Sequence, residues 1–158
     1  MSDVIHPDHY QGFGVEPWDC ARTFDFFTGN VLKYIMRAPF KGRPALDFEK
    51  AANYIAYLNT RPACRFCSPE SSEFPKDELG ILMDRSHWDE WQDAVSEYCE
   101  DASEITDLAS DAVHQVISAA MDRDEDTDFA SARYELAGVK LILAAKKINI
   151  YILSQFKE

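Results

Sequence analysis

At 158 residues, 46% hydrophobic and 13% aromatic, the chain is long and apolar enough for one packed domain, or a small domain with a helical appendage, and wholesale disorder is excluded. The formal net charge of −12 excludes general nucleic-acid binding, since phosphates would be repelled by most of the surface. The apolar runs VKLILAA and INIYIL fall short of the roughly 18 residues a bilayer span needs, and MSDVIHPDHY lacks the flank and core of a signal peptide, so a soluble, cytoplasmic protein without membrane contact is expected.

The charge is unevenly spread. Residues 1–61 hold seven acids and seven bases, residues 66–139 hold twenty acids and four bases, and the last nineteen residues return to +3. Such asymmetry suggests two parts with different roles.

In chain order, HPDHY first supplies His6, His9 and Tyr10, donors able to reach a phosphate or relay a proton near neutral pH. EPWDCARTFDFF reads as a helix opened by Pro17, with Trp18, Ala21 and Phe24 along one side and a break at TGN. NVLKYIMRA is the next helix. Val31, Leu32, Ile35 and Met36 form its apolar side, while Asn30, Lys33, Tyr34 and Arg37 share the other face. Pro39 stops it, FKGR turns the chain, and Pro44 opens a third helix, ALDFEKAANYIAYLN, with Phe48, Ala51, Ile55 and Leu58 inward. Residues 61–86, with their prolines and serines, read as a linker carrying the C-x-x-C of Cys64 and Cys67. That spacing suits half a zinc site, completed by Cys20, Cys99 or His87, but plain thiols in a turn are the commoner case.

From Trp88 to Val116 apolar residues alternate at three and four, and acids at 90, 93, 97, 100, 104, 107 and 111 follow two residues out of step. This predicts one long amphipathic helix, or two nearly in line, with the carboxylates facing away from the seam. After DRDEDTD a last helix, about Phe129 to Phe156, shows apolar spacing at 129, 132, 136, 139 and 143. The expected fold is all-α: a three-helix domain at 1–60, a linker at 61–86, and an acidic antiparallel hairpin at 87–158. The hairpin seam is expected against the N-terminal helices or another subunit. So thin an N-terminal core makes a homo-oligomer a reasonable expectation.

The basic residues carry the chemistry. Lys33 and Arg37 stand four apart, so both heads can converge on one anion, with Lys41 and Arg43 arriving from the following turn. Arginine grips two phosphate oxygens as a fork and lysine adds a compact charge, while Asn30 is a neutral donor and Tyr34 or Tyr54 a surface for a base. The competing reading is that these bases only pair with the acidic helices.

The order His6-Pro7-x-His9-Tyr10, then TGNVLKYIMRAPFKG, then LDFEKAANYIAYL resembles a small bacteriophage domain known as a nucleotide kinase-like family. The resemblance covers about residues 5–60 and includes Gly29, Asn30, Lys33, Tyr34, Arg37, Lys41, Asp47, Lys50, Ala51 and Tyr54. It implies nucleotides as partners and phosphoryl transfer to a nucleoside monophosphate. The donor would be a nucleoside triphosphate, with Mg2+ possible. By that resemblance His6 and His9 would assist the proton or charge, and Tyr10, Asn30, Lys33, Tyr34, Arg37, Lys41, Lys50 and Tyr54 would hold the nucleotide, with Arg43 added by the reading of the turn. No G-x-x-x-x-G-K-[ST] loop is present, so the usual phosphate cradle would not be used.

Three other readings compete. A non-catalytic protein could sequester nucleotides, or its acidic helix, with carboxylates about every 5 Å, could imitate nucleic acid toward a host protein. E-x-x-E-type pairs, Glu97 with Glu100 and Glu104 with Asp107, could hold magnesium for nucleotide pyrophosphohydrolysis. Asp124, Asp126, Asp128 and Glu135 take calcium-loop positions, but Phe129 stands where the loop requires glycine.

Overall fold

The computed structural model describes residues 17–21, 24–60, 76–122 and 127–156. Among the described residues seven α-helices follow one another: α1 Pro17–Ala21, α2 Phe26–Arg37, α3 Pro44–Thr60, α4 Lys76–Met83, α5 Asp89–Val95, α6 Ala102–Asp122 and α7 Thr127–Gln155. No strand occurs among the described residues, so the fold is all-α as expected. No described helix is long and apolar enough to cross a membrane.

The break between the first two helices lies upstream of TGN. Asp25 is the N-cap of α2, its carboxylate accepting from the N–H groups of Phe27 at 3.2 Å and Thr28 at 3.3 Å. Gly29 therefore falls within the first turns, where its N–H reaches the Asp25 carbonyl at 3.0 Å. A capping aspartate satisfies donors that a glycine cannot, and it sets the start. Pro39 closes α2 through a short 3-10 turn, Gly42 takes the positive φ of 86° that the reversal requires, and Pro44 opens α3.

The stretch expected as a linker contains α4, whose Leu79 and Leu82 are buried. A 3-10 turn, Arg85–Trp88, joins α4 to α5. Trp88 Nε1 donates to the Leu82 carbonyl at 2.8 Å, and Trp91 Nε1 donates to the Ile35 carbonyl at 2.9 Å. The second bond fastens α5 to the end of α2.

The single helix expected from Trp88 to Val116 is broken. Cys99 is fully extended, and Asp101 caps α6 by accepting from the Glu104 N–H at 3.1 Å. The two parts are not in line either. Arg85 Nε meets Asp107 Oδ1 at 2.9 Å, and His114 Nε2 donates to the Met83 carbonyl at 2.7 Å. In one straight helix the 22 residues from Arg85 to Asp107 would span about 33 Å, so this segment folds back over α6. The apolar alternation hid the break because it restarts in phase beyond it.

Helices α6 and α7 run in opposite senses. Glu104 pairs with Lys147 at 2.8 Å, Asp111 with Lys140 at 2.9 Å, and Gln115 accepts from Arg133 at 3.2 Å. Helix α7 is turned relative to expectation: positions 129, 132, 136, 139 and 143 are exposed. Ala130, Tyr134, Ala137, Leu141, Ala144 and Ile148 face inward. The small alanines let α7 approach α3 and α6 closely, a gain in close packing that the larger residues would prevent. One core runs through the molecule from Cys20 to Ile148, so the α6–α7 pair packs on the N-terminal helices rather than standing apart.

Candidate functional site

Side chains from α2 and α3 form a cationic and aromatic cluster. Tyr34 stacks on Tyr54 with ring centroids 5.8 Å apart and planes 20° from parallel. Around the Tyr34 ring lie Lys33 Nζ at 4.6 Å, the Arg37 guanidinium carbon at 4.6 Å and Lys50 Nζ at 5.5 Å. The ring's electron-rich face offsets the mutual repulsion of these cations. Five of the residues singled out from the sequence thus meet on one face. They converge because α2 offers positions 30, 33, 34 and 37 at helical spacing, and α3 lays positions 50 and 54 beside them.

Arg37 differs from the reading that makes it an open phosphate fork. It is buried, and its Nη2 donates to Asp47 Oδ1 at 3.2 Å. Arg37 ends α2 and Asp47 lies in the first turn of α3, so each charge also complements its own helix dipole. The half-buried cations beside Tyr34 are Lys33 and Lys50.

The remaining residues are placed differently. Asn30 turns its amide onto its own helix, donating to the Phe26 carbonyl at 2.7 Å. Lys41 and Arg43 are exposed on the turn that precedes α3. His6, His9 and Tyr10 lie outside the described residues, as do Cys64 and Cys67.

Sequence reasoning missed the aromatic extension of the cluster. Phe27 stacks on Tyr57 at 4.4 Å, and Phe26 packs edge-on against Phe27 at 5.4 Å and Tyr54 at 6.2 Å. Phe26 keeps 69% of its surface exposed. The available signal was the pair Tyr54 and Tyr57, three apart on the side of α3 away from its core face.

The other candidates come apart or stay outside. The acids at 90, 93, 97, 100, 104 and 107 are exposed, but the break at Cys99 interrupts their regular spacing. Glu104, Asp107 and Asp111 are paired with Lys147, Arg85 and Lys140 of the same chain. Among the described residues, no three metal-ligating side chains come together. Asp124 and Asp126 lie outside the described residues, while Asp128 and Glu135 are ordinary residues of α7. Cys20 and Cys99 are buried free thiols. Burial, reinforced by Asp19 and Glu78, pushes the Cys20 thiol up to about 12, which leaves it a poor nucleophile and ligand. An apolar groove between α3 and α7 shares no residue with the cationic cluster.

Residues 4–56 match the model of a family described as a protein of unknown function, DUF3310. The match spans nearly the segment on which the resemblance rests, and its description carries no activity. No curated protein and no solved structure matches the chain.

Proposed function

We propose that the α2–α3 face binds a nucleotide, with phosphate held by Lys33 and Lys50 and the base lying on the aromatic row that ends at Phe26. The observation that supports this reading is the gathering of three cations round Tyr34, one of a row of five aromatic rings, in a chain that is otherwise strongly acidic. Asp47 offsets the charge of Arg37, and Lys33 and Lys50 are the half-buried cations beside Tyr34. Phe26 precedes Lys33 by seven residues, two helical turns or about 10 Å, a distance that a nucleotide bridges from base to phosphates. Aromatic stacking and a compact ammonium charge are the two attractions such a ligand requires. Arg37 acts here as a positioning residue, holding Tyr34 and Asp47.

On this reading the reaction is phosphoryl transfer to a nucleoside monophosphate. That chemistry consists mostly of positioning and charge neutralisation, so a cationic cluster without a P-loop is a sufficient starting point. His6 and His9 are the proposed proton or charge carriers.

A thermal-shift series against nucleoside mono- and triphosphates tests the binding. A ligand at a hundred times its dissociation constant stabilises the fold by about 2.7 kcal/mol. The expected result is a shift with particular nucleotides that disappears in Lys33→Ala/Lys50→Ala and weakens in Phe26→Ala. No shift with any nucleotide overturns the reading. A shift without phosphate transfer in a coupled assay leaves a nucleotide-sequestering protein.

A further inference from the structure

We propose that α7 is the surface through which two copies of this chain pair, antiparallel, about a two-fold axis near residue 141. The inner face of α7 is buried against α3 and α6. Its outer face carries a second, complete apolar seam at 129, 132, 136, 139, 143, 146, 150 and 153, an unbroken alternation of three and four interrupted chemically only by Lys146. All eight positions are exposed. That is the heptad spacing of a helix that meets another helix, and it extends over about 36 Å.

The size of the stripe suits a stable contact. Leu136, Val139, Ile150, Leu153 and Phe156 keep 44–82% of their surface exposed. At roughly 150–250 Å² for a large side chain, the stripe presents on the order of 700 Å², against about 800 Å² per partner in stable pairs and roughly 300–600 Å² for the largest patch on an ordinary monomer.

Charge selects the second copy and its direction. In a parallel pair, Lys146 would face Lys146 of the partner subunit across a buried layer. Antiparallel, with layers related by the axis near residue 141, Val139 meets Leu143 of the partner subunit, and Ala132 meets Ile150 of the partner subunit. Phe129 then meets Leu153 of the partner subunit. Lys146 lies over Leu136 of the partner subunit and beside Glu135 of the partner subunit, so the one charge in the seam acquires an opposite partner. Ile142 comes beside Ile142 of the partner subunit at the axis. Lys140 and Lys147, which flank the seam, are drawn toward α6 by Asp111 and Glu104 and do not oppose the approach. On the other flank, the groove of about 670 Å³ between α3 and α7 has small residues, Ala52, Ala56 and Gly138, in its wall. They give the incoming helix room to approach closely.

Sedimentation of the full chain across a wide concentration range tests the pairing. The expected species is a dimer, converted to monomer by Val139→Glu with unchanged helical circular dichroism, since Val139 is 64% exposed. Lys146→Glu alone and Glu135→Lys alone should each raise the dimer dissociation constant about tenfold, because two-fold symmetry removes two ion pairs at once. The double exchange should restore it. A monomer at every concentration, or a dimer indifferent to Val139→Glu, overturns the interface. Failure of the double exchange to restore pairing overturns the antiparallel register. Should Val139→Glu not fold, the charge exchange decides alone. No residue of the cationic cluster lies on this stripe, so loss of the nucleotide reading leaves the pairing untouched.

Discussion

Arg37 and Asp47 show how one ion pair changes the meaning of a residue. Both side chains are nearly enclosed, at 10% and 5% exposure, and Asp47 Oδ2 is buried without a hydrogen bond among the described residues. Removing one partner strands the other's charge, so Arg37→Ala should cost about 3–5 kcal/mol in urea unfolding, whereas Arg37→Met with Asp47→Leu should recover most of it. Loss of nucleotide binding in Arg37→Ala alone would therefore say little about phosphate contact. Asp25 offers a prediction in pH. Burial raises its carboxyl above the ordinary value, against the opposing hydrogen bonds from Thr28 and Phe27. The native state thus holds this proton more tightly than the unfolded chain does. Its contribution to stability is full below the unfolded-state pKa and is lost as pH rises through the native one. Asp25→Asn keeps the capping oxygen and should flatten the stability profile above about pH 4, while Asp25→Ala should cost about 1 kcal/mol at neutral pH. Unfolding midpoints at a series of pH values check both.

At the scale of elements, α7 carries the clearest test. Leu141 and Leu143 differ by two positions and sit on opposite sides of the helix, the first fully buried and the second 41% exposed. Leu141→Ala should cost about 2–5 kcal/mol and Leu143→Ala well under half of that in a monomeric background, as read from denaturant midpoints. Equal costs would mean that α7 is rotated from the orientation described. The sequence alone marked α7 as a helix but not which side is inner, because both sides are apolar at helical spacing. It likewise marked the seam of α5 and α6 while concealing their break. There the local signal was Asp101 followed by Glu104, the start pattern of a helix. A periodic pattern that resumes in phase carries no record of the interruption.

At the scale of the whole molecule, the core gives the N-terminal helices support from the other end of the chain. Trp91 packs on Phe48, with ring centroids 5.9 Å apart, and donates to Ile35, while α3 lies along α7. A fragment ending at Thr60 should consequently show little helical circular dichroism and no cooperative melt, whereas the full chain should unfold in one transition. A folded fragment would make the N-terminal segment an independent unit.

The sequence by itself determined the all-α class, the apolar faces of α2 and α3, and the shared face of Lys33, Tyr34 and Arg37 on α2. Those follow from periodicity within a helix, where three-and-four spacing places side chains on one face whatever surrounds them. Tertiary structure alone decided that Arg37 is held by Asp47, that Phe26 and Tyr57 extend the cluster, and that the larger side chains of α7 point outward. Each of these depends on which helix lies alongside. That is settled by closeness of packing and by the partner of each buried charge, quantities that no single helix contains.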